Sequence, residues 1–178
     1  MEESDQAIIA RVLDGDTYAF SRLVERHKRR CLRYSYRVLG DRDEADDVTQ
    51  ETFVRAFRAL HKCVNPDRFK AWLFQILVNR CRSALERRIT WERWFVRTNV
   101  DRLVDSRYEE YPNLSQAALL ERALSQLAPM YREAILLKYV EKMTYREMAR
   151  MTGCSAGTLR MRVSRGGVIL RAKLKRKR

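Results

Sequence analysis

Apolar residues recur at intervals of three and four along almost the whole chain. Ala19, Leu23, His27, Cys31 and Leu32, with Tyr34 and Val38, form one such stripe, and Gly40 closes it as a C-cap. Asp41, with Glu44 three residues on, restarts a helix as an acidic variant of the capping box. Its buried face is expected to be Val48, Thr52, Phe53, Ala56, Phe57 and Leu60. Asn65-Pro66 sets an N-cap before a proline at the first helical position. Phe69, Trp72, Leu73, Ile76, Leu77 and Arg80 then carry a helix towards Arg88. A short helix around Asp5–Leu13 precedes all of these. Four further helical segments come later: Ser115–Leu127, Pro129–Glu141, Thr144–Met151, and a long one from Ser155 towards Lys175.

Between the two groups the pattern breaks. The stretch TNVDRLVDSRYEEYPN is polar, acidic and ends in a proline-containing turn, as an interdomain linker does. The expected fold is therefore all-α: two small helical domains, 1–96 and 115–178, joined by a flexible linker at 97–114. Six Gly and three Pro among 178 residues also lean away from all-β folds.

Charge adds a partner class. Thirty-seven Lys and Arg against 23 Asp and Glu give a formal charge of +14, a field that attracts polyanions. It is unevenly spread. Residues 65–97 carry a net +5 and 129–178 a net +11, whereas 41–64 and 98–128 each carry −2. Two basic surfaces for polyanions and an acidic surface for something else follow from that alternation. No run approaches the roughly 18 apolar residues of a membrane span, and MEESDQAI lacks the basic-then-apolar order of a signal peptide, so a cytoplasmic protein without membrane insertion is expected. The four cysteines (Cys31, Cys63, Cys81, Cys154) are dispersed, and His61-x-Cys63 falls short of the four ligands of a structural zinc site. Neither metal nor cofactor is expected, and the thiols read as small buried side chains.

The C-terminal segment carries the sharpest motif. Thr144-Tyr-Arg-Glu147 is a capping box, Ala149 is small where two helices must cross, and Gly153 supplies the positive φ of a tight turn. Ser155 then caps a second helix whose Leu159 and Val163 point back at the first. A short helix, a glycine turn and a basic second helix make a helix-turn-helix, against the blander alternative of a basic helical hairpin. Turning about 100° per residue from Leu159 and Val163 puts Gly157, Met161 and Ser164 outward, Arg165 beside them, and Thr158, Arg160 and Arg162 towards the flanks. Flanking arginines suit phosphates and central positions suit base edges.

In the first domain, Asp46, Asp47, Gln50 and Glu51 share one exposed surface of a helix while Val48, Thr52 and Phe53 turn inward. An acidic helix face is often merely solvated. A metal-dependent nuclease on Asp43, Asp46 and Asp47 would also use clustered carboxylates, but no second catalytic group accompanies them, so no enzyme and no catalytic residue is expected.

ADDVTQETF, then Phe69-x-x-Trp72-Leu73-x-x-Ile76-x-x-Asn79, then TYREMARMTGCSAGTLRMRVSRG resembles the bacterial RNA-polymerase sigma factors. The short two-domain form resembles the extracytoplasmic-function (ECF) subclass, which keeps only regions 2 and 4. The resemblance implies that Asp46, Asp47, Gln50 and Glu51 dock on core RNA polymerase. It implies that the loop at 61–68 captures a flipped base of the promoter's −10 element. Asn79, Arg80, Arg82, Arg87 and Arg88 would line the opened strand. Ser155, Gly157, Thr158, Arg160, Met161, Arg162, Ser164 and Arg165 would read the −35 element of promoter DNA. The acidic linker would thread the polymerase's nucleic-acid channels, and an anti-sigma factor is a common partner in the subclass. An autonomous helix-turn-helix regulator is the rival; it leaves the acidic helix unexplained. Two departures stand out. Gly167 follows Gly166 where members often carry Arg, which predicts a bend or early end of the last helix there. Ser83-Ala84 stands where many members have Ile-Asp. Trp91, Trp94 and Phe95 are expected to extend the helix before the linker and pack on their own domain, the alternative being an exposed apolar surface that awaits a partner.

Overall fold

A computed structural model describes residues 3–63, 65–98 and 116–175. Helix α1, Asp5–Leu13, starts where the Ser4 hydroxyl accepts the Ala7 amide and buries Ile8, Ile9 and Val12. Helix α2, Phe20–Leu39, ends at Gly40, whose φ of +76° is the left-handed C-cap read from the sequence. Asp41 follows at once as the N-cap of α3, Arg42–Arg58, its carboxylate accepting the Glu44 amide at 2.8 Å. A 3₁₀ turn at Pro66–Arg68, capped by the Asn65 side chain, leads into α4, Phe69–Thr98. That helix continues through Trp91, Trp94 and Phe95, so these do extend it. The described side chains do not include theirs, and residues 99–114 of the expected linker lie outside the described residues.

The chain divides into two compact units, Met1–Arg82 with Arg150–Gly153, and Ser83–Ala149 with Cys154–Arg178. In the first, the stripe of α2 faces inward as its period requires. Leu23, His27, Cys31, Tyr34 and Val38 are buried, though Leu32 is only half so. The Tyr34 and Phe74 rings meet edge-on at 4.7 Å, and Phe69 lies 5.6 Å from the His27 imidazole. Where three helices cross, Ser35 Oγ lies 3.2 Å from Thr49 Oγ1 and 3.6 Å from Cys81 Sγ, all three residues being buried. Small polar side chains allow close approach and satisfy one another. Asp5 straps α1 to α2, its carboxylate reaching the Arg26 guanidinium and His27 Nε2, the latter at 2.8 Å. One expected core residue is misplaced: Phe57 is 40% exposed, resting its ring edge on Phe20 rather than sinking between helices.

The second unit holds α5, Gln116–Ser125; α6, Pro129–Ile135; α8, Ala156–Lys175; and most of α7, Tyr145–Thr152. Helix α6 widens into a π-helical turn at Leu136–Val140, both leucines of which are fully buried. Lys142 then takes a φ of +55°, the sole non-glycine among the described residues to do so. Buried Arg132 donates to the Ser125 and Leu127 carbonyls, filling acceptors that the end of α5 leaves open. The expected early end at Gly166–Gly167 does not occur: α8 is continuous to Lys175. Gly166 is buried against α6, where a Cβ would stand 2.9 Å from Ile135 Cδ1 and 3.1 Å from Tyr131 Cβ. The residue that looks like a helix breaker is the one that lets two helices touch.

Candidate nucleic-acid interface

The helix-turn-helix forms as its spacing predicts. The Thr144 amide donates to Glu147 Oε2 at 2.8 Å and the Glu147 amide to Thr144 Oγ1 at 3.3 Å, a reciprocal capping box. Gly153 turns the chain at a φ of +68°. Ser155 Oγ then accepts the Thr158 amide at 3.0 Å and lies 2.9 Å from the Thr158 hydroxyl, so both hydroxyls serve the cap of α8. Leu159 and Val163 are buried, as is Met148 of α7; Ala149, expected at the crossing, is half-buried.

This packing fixes the rotation of α8. Gly157, Arg160, Met161, Ser164 and Arg165 are exposed, and Met161 keeps 42% of its surface in solvent. Thr158 and Arg162 are half-buried on the flanks, and Arg162 Nη1 donates to Cys154 Sγ at 3.4 Å. The Arg160 guanidinium lies 5.4 Å from the centre of the Tyr145 ring, an arrangement that residue spacing did not reveal.

On α3, Asp47 and Gln50 are exposed, while Asp46 and Glu51 are half-buried. Glu51 is not a free surface acid. Its carboxylate accepts from Arg55 at 2.9 Å on its own helix and from Arg80 at 2.6 Å on α4. Burial pushes the Glu51 carboxyl up, but the hydrogen bonds from Arg55 and Arg80 outweigh it and hold the group below its ordinary value. The i,i+4 pair with Arg55 is legible in sequence. The pair with Arg80, across 29 positions, is not. It joins a residue expected to face the polymerase to one expected to face DNA.

Along α4, Asn79 and Arg87 are exposed, and Arg80, Arg82 and Arg88 are half-buried. The Arg80 side chain is 14% exposed and its Nε has no hydrogen-bond partner. In the loop ahead of α4, His61, Lys62, Asn65, Asp67 and Arg68 are exposed. Cys63 is buried with Sγ 3.6 Å from the Asn65 carbonyl, and burial pushes its thiol pKa up. Cys31 and Cys81 are buried too, and Cys154 is half-buried. Among the described residues no three His, Cys, Asp or Glu side chains gather into a metal-holding group, Asp43, Asp46 and Asp47 included.

Residues 23–89 match the family model of Sigma-70 region 2, and residues 117–166 match that of Sigma-70, region 4. The ECF RNA polymerase sigma factor SigE of Mycolicibacterium smegmatis is 34% identical across 96% of this chain and 69% of its own length. The ECF RNA polymerase sigma-E factor of Escherichia coli (strain K12) is 30% identical across 91% of this chain and 90% of its own. Among solved structures, the sigma factor RpoE in complex with the anti-sigma factor NepR from Bartonella quintana matches with a TM-score of 0.68 at 26% identity. That match covers 89% of this chain and 98% of RpoE. CnrH, solved with the cytosolic domain of CnrY, matches at 0.62 and 30% identity, over 99% of this chain and all of CnrH. These matches favour neither an autonomous regulator nor a nuclease. With the acidic helix and the helix-turn-helix each lying inside its own region match, the chain belongs to the ECF family of RNA polymerase sigma factors.

Proposed function

We propose that this sigma factor divides promoter recognition between its two helical domains, 1–96 and 115–178, with 97–114 as the tether. Asp46, Asp47 and Gln50 present the acidic face of α3 to core RNA polymerase, with Glu51 at its edge. The loop at 61–68 takes up a flipped base of the −10 element, and Asn79, Arg80, Arg82, Arg87 and Arg88 follow the opened strand. Unstacking a base costs a few kcal/mol. Phosphate contacts from the basic helix and stacking, worth about 1–3 kcal/mol per base, offset it. The −35 element stays double-stranded, so one helix in its major groove suffices to read it. Catalysis of RNA synthesis belongs to the polymerase, and this chain contributes no catalytic residue, metal or cofactor. It works where polymerase does, in the cytoplasm; among the described residues no helix is long and apolar enough to cross a membrane. Two solved relatives are complexes, one of them named as an anti-sigma complex, which supports an anti-sigma protein as a further partner.

One observation carries the −35 reading. Leu159 and Val163 are 1% and 4% exposed while Met161, between them in sequence, is 42% exposed. That burial supports the opposite face of α8, bearing Met161 and Ser164, as the one a groove would meet. Selection of preferred promoters from a random pool by assembled holoenzyme tests it. Met161→Arg should change the preferred −35 bases, with about 1–3 kcal/mol of discrimination at the affected position. An unaltered −35 consensus refutes the assignment.

A further inference from the structure

The Tyr145 ring sits at a junction that the roles above do not use. It is the first residue of α7, directly after the capping Thr144. The Lys138 ammonium, from the π turn of α6, lies 4.8 Å from the ring centre, and the Arg160 guanidinium, from the DNA-facing part of α8, lies 5.4 Å from it. Lys138 Nζ also donates to the Met143 carbonyl at 3.2 Å, fixing the connection that leads into α7. One aromatic ring thus gathers a cation from each of two other elements.

Two like charges on one ring repel each other. Among the described residues neither Lys138 nor Arg160 is paired with a carboxylate: Lys138 meets the Met143 carbonyl and the ring, and Arg160 meets the ring. The ring's negative face holds each cation, but it does not neutralise them. What remains is positive charge, held in place beside the edge of a recognition helix. An arginine on an exposed helix surface otherwise loses much rotamer freedom when it grips a phosphate. One that already rests on a ring loses less.

Resting on the assignment of α8 to the −35 element, we propose that Tyr145 is a positioning residue: it holds the Arg160 guanidinium ready for a phosphate of the −35 backbone. It touches no base, so it sets affinity and not sequence preference. The contribution equals the part of Arg160's grip that the ring pre-orders, a factor of about two to five for an exposed cation–π pair.

The test is a double-mutant cycle on assembled holoenzyme, measuring affinity for its own selected promoter across a salt series. Tyr145→Leu should weaken binding by about two- to fivefold with the preferred −35 bases unchanged, and Tyr145→Phe, which keeps the ring, should bind as wild type. Arg160→Ala should weaken binding and shallow the salt dependence by about one unit of slope. In the Arg160→Ala background, Tyr145→Leu should then add little, whereas in an Arg165→Ala background it should add its full effect. Should Tyr145→Leu fail to fold, Tyr145→Met closes the same cycle. Additive losses with Arg160→Ala, or a loss in Tyr145→Phe equal to that in Tyr145→Leu, overturn the positioning role while leaving α8 as the reader. An Arg160→Ala variant with unchanged affinity and salt slope overturns both.

Discussion

Gly166 and Gly167 are adjacent, sit in the same helix, and should respond to the same substitution with opposite signs. Replacing glycine by alanine inside a helix is worth about 0.5–1 kcal/mol of added stability through backbone entropy. At Gly167 nothing opposes this, since the nearest atom to a new Cβ is the mobile end of Arg171 at 4.0 Å. Gly167→Ala should therefore stabilise by that amount. At Gly166 the new methyl meets Ile135 Cδ1 at 2.9 Å and Tyr131 Cβ at 3.1 Å. The isoleucine tip can swing, but the tyrosine Cβ is anchored to the α6 backbone, so the helices must part by a few tenths of an ångström. Overpacking of this kind costs about 1–3 kcal/mol, leaving Gly166→Ala destabilised by roughly 1 kcal/mol after the helical gain. The difference between the two variants isolates the steric contribution, because the entropy gain cancels. For a domain of this size each kcal/mol moves Tm by about 4–8 °C. Calorimetry of the full chain should show the pair moving in opposite directions, and amide exchange should locate the change in α6 and α8. If Gly166→Ala stabilises as much as Gly167→Ala, the seam between α6 and α8 is not as close as described.

Substitutions at three other positions test the remaining structure. Thr144→Ala removes one side of the reciprocal cap and should cost about 1 kcal/mol in urea unfolding, with Thr144→Ser close to wild type. Glu51 is held below its ordinary carboxyl value, so its stabilisation is complete above that value and is lost as pH falls through the lowered one. Urea midpoints should decline below about pH 4.3 in the wild type and decline less steeply in Glu51→Gln; parallel profiles would remove Glu51 from the acid limb. Asp47→Lys, at an exposed site, should weaken capture of core polymerase without changing the melting profile, whereas Glu51→Lys should alter both, since it abuts Arg55 and Arg80. Retention of core by Asp47→Lys at wild-type level would exclude α3's acidic face as the docking surface.

What the chain disclosed in advance is what its chemistry settles within a few residues. Every N-cap read from spacing (Asp41, Asn65, Thr144 and Ser155) involves groups two or three positions apart, where geometry leaves little freedom. The helical stripe of α2 and the rotation of α8 were legible because a period of 3.6 residues assigns faces without knowledge of the partner. What was hidden involves distant neighbours. Nothing local announces that Glu51 meets Arg80, or that Ser35 meets Thr49 and Cys81. Gly166 was misread for the same reason: its cost to a helix is local and visible, while the α6 side chains that require it lie some 30 positions upstream. The π turn and the positive φ of Lys142 carry no signature in composition.

Continuous α8 has a mechanical consequence. Twenty residues at 1.5 Å each make a rod about 30 Å long, and it is the only element that carries both the exposed Met161 and the basic end at Lys173. That end is latched, with Lys173 Nζ 3.2 Å from Gln126 Oε1 beside α5, and the middle is keyed into α6 at Gly166. A helix without a break transmits torsion along its length. One residue's worth of rotation, about 100°, would replace exposed Met161 with its neighbour on that face, and the Lys173 latch and the Gly166 seam both oppose such a turn. Which face the first turns of α8 expose is thus set partly at a glycine and a lysine further along the rod.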